Sequence, residues 1–158
     1  MFVLIEIRHA QYQDLKFMHD ALYQLSEMHH RADPEYFRHP AEISLQKSLK
    51  HYIESEQAFA LIATEGEQAV GFVVGEIIQE RSPLLKSMRY GAINEIFLLE
   101  QYRGGGIGRE LLQQAQAHCL SLGATELRLE AWGFNEPALS FYRDFGFVTH
   151  IHFLRKKI

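Results

Sequence analysis

The densest concentration of chemistry-bearing residues is the run 101–112, Gln-Tyr-Arg-Gly-Gly-Gly-Ile-Gly-Arg-Glu-Leu-Leu. It lies between a short apolar run, 93–99, which predicts a buried strand, and a segment with helical spacing. Gly104, Gly105, Gly106 and Gly108 remove the side chains that would hold a ligand off the backbone, so several N–H groups converge where the helix begins. Together with the positive end of the helix dipole, such donors suit a phosphate or pyrophosphate. A loop that needs only positive φ would be served by one or two glycines. A Walker-type loop ends in Gly-Lys-Ser/Thr, and Gly108-Arg109-Glu110 does not. A dinucleotide fingerprint is a nearer rival, because Glu126 and Glu130 lie about where an acid would meet a ribose. Its spacing is G-x-G-x-x-G, however, whereas this loop reads Gly104-x-Gly106-x-Gly108, and little sequence follows to build a doubly wound sheet.

Other reactive side chains are more scattered. Glu95 stands inside the apolar run, and a carboxylate there must be paired, exposed on an edge or used. Glu76, Glu80 and Glu130 are weaker candidates of the same kind. The nine histidines include His29-His30 with His39 and the pair His150-x-His152, but no H-E-x-x-H or Cys/His ligand spacing accompanies them, so no metal is expected. The single cysteine, Cys119, falls on the apolar side of a predicted helix and reads as a small buried hydrophobe.

The elements that must position these groups follow from periodicity. Residues 2–7 predict a strand, and Asp14 can cap a helix whose apolar face is Leu15, Met18, Leu22, Leu25 and Met28. Residues 29–40 break that period and predict a loop, after which Leu45, Leu49, Tyr52 and Ile53 mark a second helix. Strands at 59–64 and 69–78 are joined by Glu65-Gly66-Glu67-Gln68, a hairpin signal. A strand at 90–99, the glycine loop, a helix closed by Gly123, a strand at 125–131 and a short helix from Pro137 to Gly146 complete the pattern. Residues 147–150 and 152–157 read as one or two final strands. The order is that of a mixed α/β (α+β) layer protein.

Composition narrows the setting. The 158 residues, 47% of them hydrophobic, predict a single domain over 1–158. A net charge of −4, with 16 basic residues that form no run, gives no footprint for nucleic acid. One cysteine and an N-terminal apolar run too short for a signal or span predict a cytoplasmic protein with no membrane partner. A homodimer is a common outcome for such chains, and the sequence leaves the oligomeric state open.

Arg103-x-x-Gly106-x-Gly108 matches the Q/R-x-x-G-x-G/A signature of the GNAT superfamily of N-acetyltransferases, and Asn135-x-x-Ala138-x-x-Phe141-Tyr142-x-x-x-Gly146-Phe147 resembles the family's second signature. The resemblance is specific over 93–147 and looser upstream. It implies a GNAT-like fold, a central mixed, mostly antiparallel sheet of six to seven strands flanked by about four helices. It also implies acetyl-CoA as co-substrate. Phe97, Leu98 and Leu99 would offer backbone groups to its pantetheine arm where the fourth and fifth strands splay. Residues Arg103, Gly104, Gly105, Gly106, Ile107, Gly108 and Arg109 would hold its pyrophosphate, with Asn135, Ala138 and Tyr142 completing the cofactor site. His29, His30, Tyr36 and Phe37, on the loop that borders the acceptor site in the family, and Asn94 would meet the substrate.

Acetyl transfer from a thioester to an amine needs an unprotonated amine, a stabilised oxyanion and a proton for the thiolate. The resemblance makes Tyr142 the acid, and a phenol with an ordinary pKa of about 10 stays protonated at neutral pH. Glu95 is the candidate base, although side chains alternate along a strand, so Asn94 and Glu95 would face opposite ways. The Leu98 N–H is the candidate oxyanion donor. The expected reaction is direct attack of a primary amine, on a small molecule or a peptide, within a ternary complex, since no nucleophile for an acetyl-enzyme is evident. The alternatives are a non-catalytic acetyl-CoA or CoA sensor and an NAD-binding oxidoreductase.

Overall fold

The computed structural model describes residues 4–44 and 48–158. Four strands, β1 (Ile5–His9), β2 (Ala58–Glu65), β3 (Gln68–Gln79) and β4 (Arg89–Leu98), run antiparallel in chain order, and β5 (Glu126–Leu129) lies parallel to β4 at the edge. The β2–β3 hairpin turns at Gly66, whose φ of 61° suits glycine. Both faces of the sheet are covered. Helix α1 (Leu15–Ala32) sends Met18, Ala21 and Leu22 against Phe72, Val74 and Phe97. Helix α4 (Ile107–Ser121) sends Leu111, Leu112, Ala115 and Cys119 against Phe59, Val73 and Ile93 on the other side. The two-residue period of β3 divides its side chains between these layers, and coverage on both faces explains why β2 and β3 read as nearly continuous apolar runs.

The mixed α/β class and the mostly antiparallel sheet are as expected, but five strands form among the described residues instead of six or seven. Residues 147–158 make no ladder. Arg155 and Lys157 instead engage Asp33 and Glu35, and the Arg155 guanidinium lies 4.5 Å from the centre of the Tyr36 ring. Helix α1 also runs further than its apolar period suggested, so His29 and His30 belong to its last turn, beside Arg31, whose positive charge suits the negative helix end. Pro34 explains the stop just beyond it, since the residue before a proline is pushed out of the helical region and Asp33 has φ −150° and ψ 82°. The predicted second helix is two short ones, α2 (Pro40–Ser44) and α3 (His51–Glu54), with Leu49 and Tyr52 buried; Leu45, Phe2 and Val3 lie outside the described residues.

Asp14 does not cap α1 with its side chain. It is buried, takes bonds of 2.7 and 3.0 Å from Arg8 and accepts the Gln11 amide at 2.8 Å. Burial works to raise its carboxyl, but Arg8 and the Gln11 amide outweigh burial and hold it below the ordinary range. Asp14→Ala should therefore cost about 3 kcal/mol in a denaturant titration, because it strands a partly buried guanidinium. A folded value below the unfolded value of about 3.9 means that this stability is present above pH 4 and drains away as the pH falls below it; the variant should lack that acid-side slope.

Candidate active site

The parallel β4–β5 ladder is short. It runs from Tyr90 opposite Glu126 to Ile93 opposite Leu129, after which β4 continues to Leu98 with no β5 residue opposite. The strands part into a wedge. The Leu99 N–H donates to Val70 O at 2.9 Å on the β3 side, so alternation directs the Leu98 amide into the wedge, with Phe97 buried beside it.

The glycine loop follows at the mouth of this wedge. Gly104 and Gly106 have φ of 78° and 91°, which other residues adopt only with strain, and Gly106 is the N-cap of the 15-residue α4, which starts at Ile107. Gly108 has another task. A Cβ there would come within 3.3 Å of the Phe141 ring, so its absence lets α5 (Glu136–Phe145) pack on the first turn of α4. Arg103 donates from Nε to Leu98 O at 2.9 Å, tying the loop to the wedge, while Arg109 leans on α5 with its guanidinium 5.7 Å from the Phe145 ring centre. The bare backbone at the start of a long helix fits a pyrophosphate, and the exposed edge of β4 fits an extended amide-bearing arm.

Asn135 caps α5 by accepting the Ala138 amide at 3.3 Å, and Pro137 occupies its first turn. Two turns on, Tyr142 packs against Phe141 and Phe147. Burial, and then the charge of Glu95, push its phenol up to about 12. The charge of Glu95 on β4 thus reaches the phenol on α5.

Asn94 and Glu95 do not face opposite ways as simple alternation predicts. The β3–β4 ladder slips between Val74 and Gly75, which pair with Glu95 and Ile93, so Asn94 is the extra residue of a β-bulge. Its Nδ2 reaches the Tyr52 hydroxyl at 2.9 Å and Glu76 at 3.1 Å. Glu95 sits opposite Val74, whose side chain joins the α1 layer, and its charge also acts on Tyr52. Burial, with Glu76 and Glu95, raises the Tyr52 phenol against the bond from Asn94. His51 extends the group, 3.4 Å from Glu76. Tyr52 and His51 carry no sequence signal for a site beyond helical spacing. Glu80 is structural: it accepts the amides of Arg81 and Ser82 and pairs with Arg128 at 3.0 Å. Glu130 is exposed beyond β5.

His29, Tyr36 and Phe37 come together as an aromatic cluster, with His29 stacked on Phe37 at 5.2 Å. His30 bonds Phe37 O through Nδ1 at 2.9 Å. Sequence reasoning missed two further members, Trp132, 4.7 Å from Phe37, and Phe134. Both lie in the connection after β5, and a parallel β5 ends at the same side of the sheet as β4 and the glycine loop. The lone tryptophan just after the strand predicted at 125–131 was the available signal.

A model of the acetyltransferase (GNAT) family matches residues 22–147. The chain belongs to that family. GNAT proteins use acetyl-CoA. Among curated relatives, the N-alpha-acetyltransferase of Sulfolobus acidocaldarius is 35% identical over 103 residues, 63% of this chain and 61% of the relative. N-alpha-acetyltransferase 30 of Schizosaccharomyces pombe is 28% identical over 101 residues, 64% of this chain and 65% of the relative. The GNAT chain thus spans less than two thirds of the length of these relatives. In fold it is similar to a mutant of the BH1408 protein from Bacillus halodurans, with TM-score 0.85 and 21% identity over 97% of this chain and 99% of that one. It is also similar to aminoglycoside N-acetyltransferase AAC(6')-Iy in complex with CoA, with TM-score 0.70 and 18% identity over 98% and 96%. Among the described residues of this GNAT protein no helix is long and apolar enough to cross a membrane.

Proposed function

We propose that this GNAT protein transfers the acetyl group of acetyl-CoA directly to a primary amine with both substrates bound, as a cytoplasmic enzyme. The observation that carries the reading is that β4 runs on to Leu98 past the end of its ladder with β5 and leads into the glycine loop that opens α4, with Tyr142 of α5 within reach of the Glu95 charge. Glu95 takes the proton of the incoming ammonium, directly or through water, and Asn94, held by Tyr52 and Glu76, lines the approach. The Leu98 N–H donates to the carbonyl oxygen as it gains charge. Tyr142, neutral across the physiological range, donates to the sulfur that leaves. The backbone of Gly104, Gly105, Gly106, Ile107 and Gly108, with Arg103 and Arg109 at the loop ends, holds the pyrophosphate. Phe97, Leu98 and Leu99 with Asn135 and Ala138 flank the pantetheine arm.

The amine reading that fits best is the α-amine of a peptide. Three relatives are N-alpha-acetyltransferases, and the His29, Tyr36, Phe37, Trp132 and Phe134 rings, with His30 behind them, give a peptide side chain a flat apolar wall. Direct transfer is favoured because Cys119 is 1% exposed and burial pushes its thiol up to about 11. Initial rates measured against acetyl-CoA at several concentrations of a peptide amine should give intersecting double-reciprocal lines. Parallel lines, or an acetylated protein after incubation with acetyl-CoA alone, would contradict direct transfer.

A further inference from the structure

Asn94 is exposed, yet its amide is not free to turn. Its Nδ2 donates one proton to the hydroxyl of Tyr52, a buried residue of α3, at 2.9 Å and the other to Glu76 Oε2 on β3 at 3.1 Å. A carboxylate accepts and does not donate, so Glu76 decides which end of the amide is the nitrogen. Glu76 is held from its other side as well, with Oε1 3.4 Å from His51 Nε2, and the His51 ring centre lies 3.8 Å from that of Tyr52. Both N–H protons of Asn94 are therefore spent, while its Oδ1, on the far side of the amide, takes no bond among the described residues. An exposed amide ordinarily samples several rotamers, and here a buried phenol and a carboxylate select one. The bulge sets Glu95 directly after this fixed oxygen, on the strand that lines the wedge.

We propose that Tyr52 is a positioning residue for acetyl transfer, and that the oxygen it leaves open on Asn94 makes the site selective for primary over secondary amines, a role that rests on transfer to an amine at this site. The amine arrives as an ammonium, which has only donors to offer. Once Glu95 has taken one proton, a primary amine keeps two N–H groups. Asn94 Oδ1 accepts one and the carbonyl oxygen of the protonated Glu95 accepts the other, which leaves the nitrogen lone pair to face the acetyl carbon. A secondary amine keeps a single N–H, and its extra carbon displaces one of the two contacts. With its amide free to turn, Asn94 would also present N–H groups to the nitrogen, donor against donor; Tyr52 and Glu76 exclude that arrangement. Tyr52 itself stays neutral, because burial and the charges of Glu76 and Glu95 raise its phenol against the bond from Asn94.

The test compares kcat/KM for a peptide that begins with leucine and for the same peptide beginning with N-methylleucine. The parent should prefer the first by about a hundredfold. Tyr52→Phe keeps the ring and loses only the hydroxyl; it should lower kcat/KM for the primary amine about tenfold, cut the preference about tenfold, and leave the dissociation constant of acetyl-CoA within about twofold. Asn94→Leu, at an exposed position and of similar size, should lose at least as much, and Tyr52→Phe added to it should cost less than about twofold more, because the tyrosine acts through the asparagine. A tyrosine with a packing role alone would slow both peptides equally and would exert its full effect in the Asn94→Leu background. Either of those results, or a parent indifferent to the N-methyl group, would overturn the proposal. A parent that binds acetyl-CoA and acetylates neither peptide would overturn the peptide-amine reading itself, and the role of Tyr52 would fall with it.

Discussion

Replacing Gly106 by glutamate should weaken acetyl-CoA binding about a thousandfold. Gly106 is the N-cap of α4, and a side chain there points from the position where the helix dipole and free amides would meet the pyrophosphate. At about 4 Å and an effective dielectric of about 20, one added negative charge facing one phosphate charge costs about 4 kcal/mol, which is about three decades in affinity. The φ of 91° adds strain that any side chain shares, so Gly106→Gln is the control. Glutamine should lose far less affinity than glutamate at an equal melting temperature, read by isothermal calorimetry with acetyl-CoA. Equal losses in the two variants would mean that the loop does not hold the phosphates.

The second large effect belongs to the phenol. Tyr142→Phe should lower kcat by about a hundredfold or more and shift acetyl-CoA affinity by less than about threefold, because the lost hydroxyl serves the departing sulfur and not the bound ground state. The pH behaviour carries a separate signature. With its phenol pushed up to about 12, Tyr142 stays protonated where an ordinary tyrosine ionises, so the parent's rate should show no alkaline fall from this group near pH 10. By linkage, a folded value above the unfolded value of about 10 contributes stability that is complete below pH 10 and lost as the pH rises toward 12. The phenylalanine variant should lack that alkaline loss. Unchanged kcat in the variant would return Tyr142 to a packing role against Phe141 and Phe147.

The helices and the central strands were legible because their apolar residues are both local and periodic: α4 from Ile107, its stop at Gly123, α5 between Pro137 and Gly146, and the hairpin at Gly66 all carry short-range signals. Relations across the sheet were not. The bulge that turns Asn94 toward Tyr52 depends on register with β3, which no spacing within β4 encodes. Asp14 looked like a helix cap because its type suits one, yet its partner is Arg8, a residue in the preceding strand, brought close only by the fold. Residues 147–150 and 152–157 read as one or two strands, and a strand needs an edge to pair with, which is a property of the fold and not of the segment. Trp132 and Phe134 joined the cluster of His29 and Phe37 through the parallel course of β5, a topological fact.

The most direct test of the central claim is acetyl-CoA-dependent thiol release across a panel of peptides with free N-termini, the same peptides N-terminally blocked, lysine-bearing peptides, polyamines and aminoglycosides. Release that requires a free peptide N-terminus, with the mass of one acetyl group appearing on that amine, is the predicted result. No release with any amine from a protein that still binds acetyl-CoA would contradict it and leave a binding module in its place.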